Sequence, residues 1–121
     1  MDTERVVFIK HGNREILLIN LADCKPHELF PLIDQAKKVI CTRPASSVLT
    51  LTDVTNVRFD DKVTDAMKAF TVHNKPYVKA AGVVGVTGLK KIILEAVMMF
   101  SKRKFHTFET VESAKSWLVT N

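Results

Sequence analysis

A chain of 121 residues, 46% apolar and 26% charged, is long enough to bury a core as one domain and lacks the highly charged, weakly hydrophobic stretches of disorder. No apolar run approaches the ~20 residues that cross a membrane, and Met1-Asp2-Thr3-Glu4-Arg5 carries two acids where a signal peptide has a basic start. The net charge of +5 raises nucleic acid as a partner, but no aromatic residues alternate with basic ones and no zinc-finger or helix-turn-helix spacing occurs, so a solvated basic surface is expected instead.

Val6–Lys10 alternates weakly and predicts a strand. His11-Gly12-Asn13-Arg14 predicts a turn, because Gly12 and Asn13 tolerate positive φ. Ile16–Ile19 is a continuous apolar run and predicts a strand buried on both faces, paired antiparallel with the first. Leu29, Leu32, Ile33, Ala36 and Ile40 keep helical spacing. Pro26 suits the first turn of that helix, whereas Pro31 removes an internal hydrogen bond, so an irregular or kinked start is expected. Arg43-Pro44 ends it.

Val48–Val54 predicts a third strand, with Leu49 and Leu51 on one face and Val48, Thr50 and Thr52 on the other. Thr55–Phe59 is a loop. Val63, Ala66, Met67 and Phe70 mark a second helix, with Asp60 and Asp61 at its start where the helix dipole favours negative charge. His73-Asn74-Lys75-Pro76 closes it. Tyr77–Val84 predicts a strand, Gly85-Val86-Thr87-Gly88 a turn, and Leu89, Ile92, Ile93, Ala96, Val97 and Phe100 the inner face of a third helix. Phe105–Phe108 is a short last strand, and Val111, Ala114, Trp117 and Leu118 face inward from a final helix. Strands alternating with helices imply a mostly parallel sheet with right-handed crossovers. The opening hairpin makes it mixed, so the expected class is α/β, with about five strands and four helices.

Three groups of residues bear on function. Residues 75–104 hold seven basic residues and one acid, a net of +6, while the other 91 residues net −1. Within that stretch the Gly85–Lys91 turn leads a strand into a helix. Thr87 as a cap, exposed backbone N–H groups, and Lys90 or Lys91 could receive an anion. Equally, Gly85 and Gly88 can simply let the chain turn tightly. Neither the phosphate-loop nor the dinucleotide spacing is present. The second group is Asp53, Thr55, Asn56 and Arg58 beyond the end of the third strand. If that strand neighbours the Tyr77–Val84 strand, they share a cleft with Gly85, Thr87, Gly88 and Lys90; otherwise they hydrogen-bond their own loop. The third group is Leu94, Met98 and Met99, which fall outside the third helix's inner stripe and leave it apolar almost all round. Such a surplus marks a dimer or partner surface, or a ligand slot, unless the last helix covers it.

His11, His27, His73 and His106 lie far apart in no metal-ligand spacing. Cys24 and Cys41 are not in Cys-x-x-Cys spacing, and two lone thiols are expected to stay reduced in a cytoplasm. No metal or cofactor is expected.

The element order at this length resembles a STAS domain, the anti-sigma-factor-antagonist fold, which lipid-binding CRAL-TRIO domains also approach. The resemblance rests on Ile16-Leu17-Leu18-Ile19, Leu51-Thr52-Asp53-Val54-Thr55, the helix Phe59–Phe70, and Gly85-Val86-Thr87-Gly88-Leu89-Lys90-Lys91. Phosphorylation-switched STAS domains carry an Asp-Ser-Ser-Gly-like turn where this chain reads Phe59-Asp60-Asp61-Lys62-Val63-Thr64. Asp61 matches the motif's Asp, Lys62 and Val63 occupy the serine positions, and Thr64 falls one place late. The resemblance thus implies the fold and a non-enzymatic interaction module without the serine switch, binding a partner protein or itself. The alternatives are a carrier or sensor of a lipid or anionic small molecule and, third, an enzyme using Asp53.

Overall fold

The computed structural model describes residues 4–121; Met1, Asp2 and Thr3 of the acidic lead-in lie outside the described residues. The elements follow the expected order: β1 (Val6–His11), β2 (Arg14–Asn20), α1 (Pro26–Ile40), β3 (Val48–Asp53), α2 (Asp61–Asn74), β4 (Val78–Val84), α3 (Leu89–Ser101), β5 (His106–Phe108) and α4 (Val111–Leu118). They build an α/β fold around one five-stranded sheet of order β1-β2-β3-β4-β5. β1 runs antiparallel to β2, and β2 through β5 are parallel.

Each parallel strand is followed by its immediate neighbour in the sheet. Right-handed crossovers that always step in one direction leave their helices on one face. α1, α2 and α3 accordingly share the larger core with Leu17, Ile19, Val48, Ala81 and Val83. α4 folds back over the other face, against Ile16, Leu49, Leu51 and Val84. The alternation along β3 is as expected: Leu49 and Leu51 meet α4, while Val48 lies in the larger core. Gly82 brings α4's side close, since a Cβ there would stand 3.3 Å from Phe108 and 3.7 Å from Ala114.

Two expectations hold only in part. α1 runs unbroken from Pro26 through Pro31 to Ile40. Pro31 deprives the carbonyl four residues back, that of His27, of its donor. Both residues are exposed, so water can take its place. The second concerns α3. Val97 and Ser101 are its buried residues, with Ile93, Leu94 and Met98 half-buried beside them. Leu94 and Met98, expected outside, therefore face the core, and Leu89, Ile92, Ala96 and Phe100, expected inside, face out. Met99 is outside as expected.

Candidate functional site

The C-terminal ends of the parallel strands line up in register: Asn20 beside Asp53, Asp53 beside Val84, Val84 beside Phe108. β3 and β4 are neighbours, so the structure does bring Asp53, Thr55 and Asn56 against the Gly85 turn. What they form there is a knot of loops. Asp53 Oδ1 accepts from Thr55 N at 2.9 Å and from Thr55 Oγ1 at 2.6 Å. Asn56 Nδ2 donates to Asp23 Oδ1 at 2.8 Å, and Asp23 N donates to the Thr55 carbonyl at 2.9 Å. Lys90 Nζ donates to the Val54 carbonyl at 2.8 Å and more loosely to that of Gly85 at 3.4 Å. Desolvation in this corner lowers the Lys90 pKa, opposed by the nearby Asp53 carboxylate. Arg58 is exposed.

The sheet order explains why these loops do not part at a switch point. In open α/β sheets the crevice forms where consecutive connections depart to opposite faces. This sheet never reverses direction, so successive loops lie against one another. Gly85 is the tightest point, with φ of 90° and space so short that a Cβ would come within 2.5 Å of Thr55 N. Gly88, not Thr87, is the N-cap of α3, and no side chain caps that end. At the start of α2, Asp60 Oδ1 accepts from Val63 N at 2.8 Å, so this acid is a helix cap. Val63, in one expected serine position, is fully buried; Lys62 in the other is exposed.

Open space lies beneath α3 and reaches Val54, Val86 and Lys90 at this end of the sheet. A half-open cleft between α2, α3 and the sheet is lined by Thr52, Val54, Phe59, Met67, Phe70, Thr71, Asn74, Ala81, Val83, Val86, Lys90, Leu94, Val97, Arg103 and Phe105. The volume of the cleft is about 40 Å³. Its walls are mostly apolar, with Lys90 at the start of α3 and Arg103 just beyond the end. A 13-residue helix places the backbones of these two residues roughly 20 Å apart along its axis.

Arg103 is absent from the sequence expectations, where it reads as one of three basic residues in a row. A local turn singles it out. Lys102 takes the left-handed conformation at φ 56°, and Arg103 N donates back to the Met98 carbonyl at 3.2 Å. This pattern turns the chain sharply under the helix end. Arg103 Nη1 then reaches the Thr71 carbonyl at 3.3 Å, and the guanidinium carbon sits 4.9 Å from the Phe105 ring centre. No carboxylate among the described residues lies within ion-pair reach of it. Burial without an acid pulls its pKa down to about 10, so it remains a cation at neutral pH.

The outer side of α3 is the other unusual surface. Leu89, Ile92, Met99 and Phe100 are 77, 65, 81 and 60% exposed. Val72 on α2 is exposed as well, and Lys68 Nζ stands 5.3 Å from the Phe100 ring centre. Among the described residues, no three His, Cys, Asp or Glu side chains gather to hold a metal ion, and no helix is long and apolar enough to cross a membrane. Comparison of the chain with family models, curated proteins and solved structures returns no match.

Proposed function

We propose that this protein is a non-enzymatic interaction module of the anti-sigma-factor-antagonist kind, acting without a phospho-acceptor serine. The element order on which that resemblance rests is the order found in the fold. The observation that carries the reading is the outward face of α3, where four large apolar side chains stand in water. Burying such side chains releases ~1.5–3 kcal/mol each, the usual driving force for association. The working surface is thus Leu89, Ile92, Met99 and Phe100, with Val72 alongside. It replaces the expected set Leu94, Met98 and Met99, of which only Met99 remains.

The occupant is a protein partner with acidic residues around an apolar contact. Lys68, Lys91 and Lys102 border the patch, and Glu95 is the one acid on α3. A two-fold contact between copies of this chain would set these lysines against each other.

A photo-crosslinker at position 99 in host cells tests the reading. One discrete protein adduct, lost in Ile92→Glu and absent from a crosslinker at Gln35 on α1, is expected. No adduct, a dimer of this chain in sedimentation, or flotation with anionic vesicles in place of a protein adduct would overturn it.

A further inference from the structure

We infer that the cleft beneath α3 is a binding site for a short-chain monocarboxylate, with Arg103 receiving the carboxylate and the apolar walls of α2 and α3 enclosing the chain. The inference stands on different residues from the α3 outer surface and does not depend on that surface having a partner.

The charge argument comes first. Arg103 lines the cleft and is half-buried. A guanidinium presents five N–H donors in a planar fork. One of its nitrogens, Nη1, serves the Thr71 carbonyl, one of the four that the end of α2 leaves without a helical partner. No fully buried side-chain nitrogen among the described residues lacks a hydrogen bond, so the remaining nitrogens of Arg103 are not sealed from solvent. Half-buried cations are ordinarily matched by an acid. Arg43 shows the pattern here, paired with Glu15 at 3.1 Å and stacked 3.9 Å over Phe8. At Arg103 the stacking is present and the acid is missing. A bidentate carboxylate is the group whose geometry fits the open edge of the fork.

Charge and size narrow the ligand class. A single cation with spare donors balances one negative charge; Lys90, at the far end, is held by two backbone carbonyls. A dianion such as phosphate would leave charge unmatched in an apolar setting. A cleft of about 40 Å³ has no room for a lipid tail and takes only a short chain of a few carbons. Met67, Phe70, Val97 and Phe105 supply the apolar contact. Atoms of the sheet floor and of flexible Met67 can yield slightly to a chain of that size.

The test is a titration of the isotope-labelled full chain with sodium butanoate, followed by amide chemical shifts. 1-Butanol supplies the body without the charge, and formate and inorganic phosphate supply charge without the body. Saturable shifts at Thr71, Val97, Arg103 and Phe105 are expected with butanoate, and binding at least tenfold weaker for the other three. Arg103→Leu should weaken butanoate by about ten- to a hundredfold, the worth of a charged hydrogen-bonded pair, and leave butanol unchanged. Arg103→Lys should retain part of the affinity, because it keeps the charge and loses the fork. The Leu and Lys variants are compared only where their amide spectra show the native fold. Butanol or phosphate binding as well as butanoate, or shifts confined to Leu89, Ile92, Met99 and Phe100, would overturn the site. The second pattern would leave the outer-face reading intact, so the two failures are distinguishable.

Discussion

α1 and α3 lie on the same face of the same sheet, yet they use it differently. α1 buries Leu29, Ile33, Ala36 and Ile40 completely or nearly so. α3, one of the most apolar stretches of the chain, buries Val97 and Ser101 and holds four large apolar side chains in solvent. The sheet beneath them accounts for the difference. α1 connects β2 and β3, strands of seven and six residues with neighbours on both sides. α3 connects β4 to β5, which has three residues and stands at the sheet's edge. A helix over a short edge strand has little floor to cover. Its inner side then leaves a cleft and its outer side is left free. The helix with the poorest seat is therefore the one with surface to offer.

The sharpest way to break this comparison is a pair of truncations. Leu29→Ala should cost ~2–5 kcal/mol through the cavity it leaves, while Ile92→Ala should stay within ~0.5 kcal/mol. Urea unfolding midpoints measure both. Equal losses would mean that the outer face of α3 is covered and the contrast is wrong.

Next in size is the turn that launches α3. Gly85→Ala combines a positive φ with overlap against Thr55, and a loss of ~2–3 kcal/mol or more is expected. Gly88→Ala strains the same kind of backbone at φ 58° but meets open space, so ~1–2 kcal/mol is expected. Thermal unfolding of the two variants should show Gly85→Ala melting lower. The reverse order would mean that the contact with Thr55 does not anchor α3.

The smallest effect sharpens the cleft. Arg103→Met removes a half-buried cation that no acid compensates, so Tm should hold or rise by a degree or two even as carboxylate binding is lost. The pH dependence has a definite sign. The folded pKa of Arg103 lies at about 10, below its ordinary value, so folding disfavours the cation. That penalty is full at neutral pH and fades as pH rises through 10 towards the ordinary arginine value. The variant's advantage over the parent should therefore be largest below pH 10 and shrink above it. A variant clearly less stable at pH 7 would show that the contact with Thr71 outweighs the desolvation.

Much of the fold was legible in the sequence, because the signals are local. The alternation Leu49/Leu51 against Val48/Thr50/Thr52, the turn at Gly12-Asn13 and the acids before Val63 each reflect a few neighbouring residues. The facing of α3 was only partly legible, for a physical reason. Of the expected stripe Leu89, Ile92, Ile93, Ala96, Val97 and Phe100, only Ile93 and Val97 face inward. The buried side includes Lys90 and Ser101, whose polar ends find the Val54 and Val97 carbonyls. Hydrophobic periodicity counts such residues as outward. The strand-end residues Asp53, Thr55 and Asn56 were found in the right place, but their hydrogen bonds go to one another and to Asp23. Arg103 had no distinguishing mark in Lys102-Arg103-Lys104 until the turn at Lys102 carried it beneath the helix.

The sequence by itself determined the elements, their order and the mixed α/β class, since periodicity and turn chemistry act over a few residues and do not need the rest of the chain. The tertiary structure decided which strands are neighbours, which side of α3 is inside, and where the cleft opens. Those depend on groups far apart in the chain: a lysine meeting a carbonyl 36 residues away, and an arginine meeting one 32 away. Such meetings are set by sheet order and by the length of an edge strand, which no local pattern encodes.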